Sequence, residues 1–322
     1  MNFLKIFSLI IIVLNLNCSA KAQDNYPQRA IKIIVPFTPG GVTDILARDI
    51  SKYLNQRLGQ PVIVENRGGA NGNIGASMAA KSKPDGYTLL IAPANIAISA
   101  ALYKNLNYDL FKDLQPITIL ATGPYILTVP AKSPANQLSQ LIQMAKNKPG
   151  ELAMASSGMG SAGHLAGELL QINSGVRLTH IPYKGQSDAM VDLIGGHAAL
   201  FFATVAVVNP HLHDGKIKIL AVTTKNRSPL LPQVPTISEL GYPGFNIGAW
   251  HGLFVPNGVP KEIVTLLHQE ITRYFTDVDI QKKYAVQGLQ LVTNNPEDFT
   301  KFLRAEVLEY DRAIKKADIQ EN

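Results

Sequence analysis

Apolar runs of strand length alternate with segments of helical spacing along this chain, and few folds accommodate that alternation. Residues 31–37, 62–65, 87–92 and 117–121 are such runs. Between the first two, Ile45, Leu46, Ile50, Tyr53 and Leu54 recur at spacings of one, three and four, which places them on one stripe of a helix. Strand, helix, strand in succession requires crossover connections and so predicts parallel pairing. The alternation resumes beyond Pro130, with strands expected at 152–155, 178–183, 198–202 and 217–223 and helices at 138–147, 164–173 and 187–194. From Trp250 onward the chain offers one more strand-like run, 252–255, and amphipathic helices at 260–276 and 296–316.

Pro124, Pro130 and Pro134 punctuate one passage between the halves, and the stretch 225–243 punctuates a second. Two passages predict an α/β protein of two lobes joined by crossing strands: residues 23–122 with 225–322, and residues 123–224. Each lobe is expected to be a mainly parallel sheet flanked by helices. Ligands in such folds sit at the carboxyl ends of the parallel strands, here in the cleft between lobes.

The first 22 of the 322 residues read as an export signal: Lys5, an apolar run from Ile6 to Leu16, then Ala20-Lys21-Ala22 as a small-x-small cleavage site. The run is too short to span a bilayer. Cys18, the only cysteine, falls inside this signal, so the exported chain has no disulfide and no cysteine-based metal site. Lipidation of Cys18 is the weaker alternative, because Leu16-Asn17 lacks the small residue such processing expects. Cleavage after Ala22 removes two lysines and no acid, lowering the formal charge from +6 to +4. The remaining basic residues are scattered and not interleaved with aromatics, which argues against nucleic-acid binding.

The stretch IIVPFTPGGVTDILARDI, residues 33–50, places Gly40 and Gly41 where a strand ends and a helix begins. Bare backbone N–H groups there can approach an anion at the positive end of a helix dipole. Two glycines are equally compatible with a plain tight turn, and no Gly-Lys-Ser/Thr or dinucleotide fingerprint follows. The second half repeats the device in ASSGMGSAGHLAGELL, where Ser156, Ser157, Gly158 and Ser161 follow a strand and His164 opens a helix. Two donor-rich loops facing each other suit a small anion.

The runs YPQRAIKIIVPFTPGGVTDILAR, LGQPVIVENRGGANGNIGASMAAKSKPDGYTLL, IPYKGQSDAMVDLIGGH, AVTTKNRSPLLPQVPTISELGYPGF and WHGLFVPNGVP, together with the serine-rich run above, cover nearly the whole exported chain. In this order they resemble the Bug-type periplasmic receptors of tripartite tricarboxylate transporters. The resemblance implies a type II-like, monomeric periplasmic binding protein that closes on a small carboxylate and hands it to membrane permease subunits, with no catalytic residue, cofactor or metal. It also implies that the loop from Phe37 through Thr38, Pro39, Gly40 and Gly41 to Asp44 and the loop from Ser156 to Ser161 hold the ligand; Thr204 and His164, which lies on the helical face of Ser161 and equally suits packing or hydrogen bonding, are further candidate contacts. Many relatives carry an acid where this chain has Ala203-Thr204, and that departure disfavours an amino-acid ligand.

Several of these residues have a structural reading as well. Asp44 suits a helix-start carboxylate bonding its own first turn, and Ser157 or Ser161 suits a helix cap. Arg67 and Lys184 read as surface charges, Asn71 or Asn73 could reach the cleft, and Tyr183 and Trp250 fit either cleft or core. A serine hydrolase is the rival class, but neither Ser157 nor Ser161 has the glycine two residues earlier that a nucleophile elbow needs. A sensor reporting to a membrane kinase would share the binding site and differ in its partner surface.

Overall fold

The computed structural model describes residues 26–212, 214–316 and 319. The expected export signal, with Cys18 and the cut after Ala22, lies outside the described residues. In chain order the elements are β1 (Ile31–Val35), α1 (Val42–Leu58), β2 (Val62–Asn66), α2 (Asn73–Ala80), β3 (Thr88–Pro93), α3 (Asn95–Leu102) and β4 (Leu114–Pro130). There follow α4 (Leu138–Asn147), β5 (Ala153–Ser156), α5 (Ala162–Ser174), β6 (Thr179–Pro182), α6 (Gln186–Gly195), β7 (Leu200–Thr204), α7 (Val205–Leu212) and β8 (Ile217–Val222). The chain closes with β9 (Gly248–Pro256), α8 (Lys261–Phe275), α9 (Val278–Ala285), β10 (Gln290–Leu291) and α10 (Pro296–Lys316).

The strands run in the order β2-β1-β3-β9-β4-β7-β5-β6, with β8 and β10 also paired to β4. β1 pairs parallel with β2 and β3, and β5 parallel with β6 and β7, as crossover connections require. The two central strands depart from the expected mainly parallel arrangement: β4 and β9 are antiparallel to each other and to their other partners, so the sheet is mixed.

The strand expected at 117–121 is longer than that: β4 runs for 17 residues, through Pro124. Its first part, Leu114 to Pro124, pairs with β9, while Tyr125 onward pairs with β7 and β8. Pro124 stands where one ladder hands over to the next, so its missing N–H interrupts neither. The run expected at 252–255 likewise extends to nine residues and takes in Trp250 and His251.

Apart from Lys32, which pairs with Glu65, β1 is buried on both faces, which is why Ile33 to Val35 read as a continuous apolar run. Ile31, Ile33 and Val35 pack with Leu46, Ile50 and Leu54 of α1 and with Leu267 and Ile271 of α8, while Ile34 faces Leu90, Phe254, Phe299 and Leu303 on the other side. A third cluster, built on Ile126, Met190, Leu193, Phe201 and Ala203, serves the β5–β7 end. Trp250 belongs to the core, not the cleft: it is buried, and its Nε1 donates to Glu306 of α10 at 2.8 Å.

Glu270 of α8 ties that helix to α1. It accepts from Arg57 at 2.9 and 3.2 Å, from Tyr53 at 3.0 Å and from Arg273 at 2.8 Å. The hydrogen bonds from Arg57 outweigh the effect of burial and hold the Glu270 carboxyl below the usual range. Glu270→Ala is expected to cost about 1–2 kcal/mol, because the arginines it leaves are half-exposed. Thermal unfolding would show that as a fall in Tm of about 2–6 °C at neutral pH. A folded-state pKa below the unfolded one contributes stability above the unfolded value and loses it as pH falls through the folded one, so wild type and variant converge below about pH 4.

Candidate functional site

The carboxyl ends of β1, β3, β5, β6 and β7 and their following loops open onto one cavity of about 340 Å³. Phe37, Thr38, Pro39, Gly41, Val42, Thr43 and Asp44 line it from the β1 side, with Pro93 and Asn95 after β3. Ser157, Gly185, Gln186, Ser187, Asp188, Thr204 and Val207 line it from the β5–β7 side. Tyr125 of β4 and His251 of β9 complete the wall. Pro93 and His251 are register partners, as are Tyr125 and Thr204, so cross-strand neighbours form the floor.

Two helices begin at this cavity with glycine caps. Gly41 caps α1 and Gly185 caps α6, both in extended backbone and neither with a side-chain hydrogen bond to the first turn. The first-turn N–H groups of a 17-residue and a 10-residue helix therefore stand at the wall without a side-chain acceptor, which is what an anion requires. The two sides approach closely: a Cβ on Gly185 would stand 3.7 Å from Thr38 Oγ1. Asn71 Nδ2 also reaches across to the carbonyl of Gly160 at 3.0 Å.

The 37–44 loop is shaped by Asp44. Its Oδ2 accepts from the Gly40 N–H at 3.1 Å and from Arg48 Nε at 2.8 Å, and its Oδ1 from Asn66 Nδ2 at 2.9 Å. Asn66 donates in addition to the Phe37 carbonyl at 3.1 Å. Burial alone would raise the carboxyl's pKa, yet these bonds hold it below the ordinary range. Asp44 is thus an ionised strut, neutralised by Arg48. Gly40, at φ 95°, lies off the wall and has its N–H engaged by that carboxylate. The donors turned to the cavity on this side begin at Gly41.

The serine-rich loop is arranged otherwise than the sequence suggests. Only Ser157 lines the cavity; Ser156, Gly158, Ser161 and His164 do not. Ser156 Oγ donates to the Gly158 carbonyl at 3.0 Å and accepts its N–H at 3.1 Å, and Ser161 caps α5 by accepting from His164 N at 3.2 Å. His164 Nδ1 accepts from the Gly160 N–H at 3.2 Å, and its ring stacks on His180 at 3.9 Å. These polar groups satisfy the loop's own backbone, as buried polar groups generally must. The Ser156–His180 contact of 2.6 Å does not make an accessible nucleophile, since Ser156 is fully buried and off the cavity.

Sequence reasoning missed the wall from Gly185 to Asp188, although GQSDAMVDL carries the same strand–glycine–helix signal as residues 40–50. Gln186 Oε1 joins that wall to β7 by accepting from Thr204 N at 2.9 Å and Thr204 Oγ1 at 3.0 Å. Ala203-Thr204 presents no acid, but Asp188, on the same β5–β7 side of the cavity, places an exposed carboxylate in the wall. Arg67 pairs with Glu65, and Lys184 lies off the cavity. Among the described residues no group of three or more His, Cys, Asp or Glu could hold a metal, and no helix is long and apolar enough to cross a membrane.

Residues 46–319 match the family model described as tripartite tricarboxylate transporter family receptor. The protein BugT of Bordetella pertussis is 36% identical over 297 residues, covering 92% of this chain and 91% of that protein. The structure of R. palustris Rpa4515 with adipate superimposes with a TM-score of 0.88 at 35% identity, covering 92% of this chain and 99% of that one. The periplasmic binding protein BugD gives 0.86 at 35% identity over 92% and 100% of the two chains. MatC from Rhodopseudomonas palustris with bound malate gives 0.84 at 30% identity over 90% and 100%.

Proposed function

The chain belongs to the receptor family of tripartite tricarboxylate transporters, and from that premise we propose that it captures a small non-amino carboxylate in this cavity and delivers it to a membrane permease. The observation that carries the reading is the pair of glycine-capped helix starts, at Gly41 and Gly185, on opposite sides of one cavity. Carboxylates bound to Rpa4515 and MatC support the same ligand class. Hydrogen bonds to a charged group contribute about 1.5–3 kcal/mol each and a helix start about 0.3–1. Four or five such contacts support the roughly 8 kcal/mol of micromolar binding after the costs of association.

In this reading residues 23–122 with 225–322 form one lobe and 123–224 the other. β4 crosses from the first lobe to the second, the segment 225–243 after β8 leads back, and the cavity is the closed cleft. Phe37, Thr38, Pro39 and Gly41 contact the ligand from one lobe, with Ser157, Thr204 and the Gly185–Asp188 turn opposite. Export through residues 1–22 delivers the receptor to the periplasm.

One observation favours a second reading. Asp188 offers a carboxylate to a ligand ammonium group, although its exposure weakens the pairing. A thermal-shift and calorimetry panel of succinate, malate and adipate against aspartate and glutamate separates the two. The diacids without an amino group are expected to bind more tightly, and ligand at 100 times its Kd should stabilise the fold by about 2.7 kcal/mol. Tighter binding of aspartate or glutamate, abolished by Asp188→Asn, would establish the second reading instead.

A further inference from the structure

We propose that His251 is a specificity-determining residue, whose imidazole hydrogen-bonds a second polar group of the ligand, away from the carboxylate held at the helix starts. The inference rests on the receptor reading above and names the feature of the ligand that this site selects.

His251 has an unmet hydrogen bond. Buried polar side-chain atoms nearly always have partners. Among the described residues four lack one: Ser99 Oγ, His211 Nδ1, His251 Nδ1 and Thr272 Oγ1. Of these four residues only His251 lines the cavity. It is 4% exposed, in the middle of β9, with Pro93 of β3 and Ala121 of β4 as register partners. The protein thus keeps a polar ring in the wall of the cavity and gives Nδ1, which is sealed from solvent, nothing to bond.

Burial pushes the imidazole down to about 4, so the ring is uncharged at neutral pH. An uncharged imidazole offers one N–H donor and one acceptor nitrogen. It can therefore meet a hydroxyl, a carbonyl or a carboxylate oxygen without adding a charge to the cleft. An alkyl or aryl tail placed against it would leave it unpaired and shut it off from water, which a site that discriminates by hydrogen bonding penalises heavily.

The placement separates this contact from the anion site. β9 lies at the centre of the strand order, two positions from β1, whose loop leads to Gly41, and four from β6, whose loop leads to Gly185. Helix starts hold one end of the ligand from the flanks, and His251 meets the other from the floor. The preferred ligand then carries a carboxylate and a second hydrogen-bonding group, as a diacid or a hydroxy or oxo acid does.

Calorimetry on the purified protein, comparing adipate with hexanoate and succinate with butyrate, tests this. Each pair shares a carbon count and differs in the second carboxylate. His251→Phe should weaken the better diacid tenfold or more and leave its monoacid partner within about twofold, while His251→Gln, which restores a donor and an acceptor, should recover part of the loss. Equal losses for both members of a pair, or none, would overturn the proposal. Wild-type protein that binds no carboxylate would instead sink the receptor reading, and this inference with it. Should His251→Phe fail to fold, ring-nitrogen NMR of wild-type protein decides, with assignment by the His251→Gln spectrum: the His251 signals must shift on diacid saturation, and unchanged signals overturn the proposal.

Discussion

Gly41→Val is expected to weaken carboxylate binding by about 100-fold or more while leaving the fold in place. A valine at the α1 start would push its side chain into the space through which a ligand meets the first-turn N–H groups. Loss of two charge-assisted hydrogen bonds, at about 1.5–3 kcal/mol each, exceeds the roughly 2.7 kcal/mol that 100-fold represents. The backbone tolerates the change. Gly41 sits at φ −80°, ψ 170°, an extended conformation open to any residue, and a Cβ there meets nothing within 4 Å. The cost is that of a poor helix cap, about 1 kcal/mol or less, seen as a fall of a few degrees in Tm. Calorimetry with the best diacid, alongside a melt of the same sample, reads both. Wild-type affinity in the variant would remove the α1 start from the site.

Asp44→Ala is expected to lower stability by about 3 kcal/mol and affinity by about tenfold together. The buried carboxylate accepts from Gly40, Arg48 and Asn66, and its loss leaves the Gly40 N–H without this acceptor, takes one bond from the Asn66 amide and frees the loop that shapes one wall. Its pKa is held below the unfolded value, so the contribution is fully present above about pH 4 and disappears as the carboxyl protonates below it. Urea unfolding of wild type and variant should therefore differ by a constant amount from pH 5 to 8 and converge in acid. A difference persisting unchanged in acid would mean that the side chain acts by packing and not by charge. Unaltered affinity would show that the loop holds its shape without the strut.

Much of the frame is legible in the sequence. The helix expected at 138–147 matches α4 residue for residue, and that expected at 296–316 matches α10, because an amphipathic stripe is visible over three or more turns. The short strands β1, β2 and β5 to β8 fall within two residues of expectation for a related reason: turn residues bound them. β4 does not, since Pro116 and Pro124 lie inside it and a proline carried within a strand looks the same in sequence as one that ends it, and β9 begins four residues before its expected run.

The site divides along the same line. The resemblance to the receptor family supplied the loop from Phe37 to Asp44, while the sequence alone determined that strands end in donor-rich loops where helices begin, at Gly40 and Gly41 and at Ser156 to Ser161. Those are local facts of backbone freedom and helix-dipole direction. Only the tertiary structure decided which donors face the cavity. Ser156, Ser161 and His164 turned to their own loop because local backbone groups claimed them first, while Gly185–Asp188, Tyr125 and His251 came to the wall from strands far apart in the chain. Side-chain direction at a cleft depends on which groups remain unpaired after the sheet closes, and no spacing along the sequence records that closure.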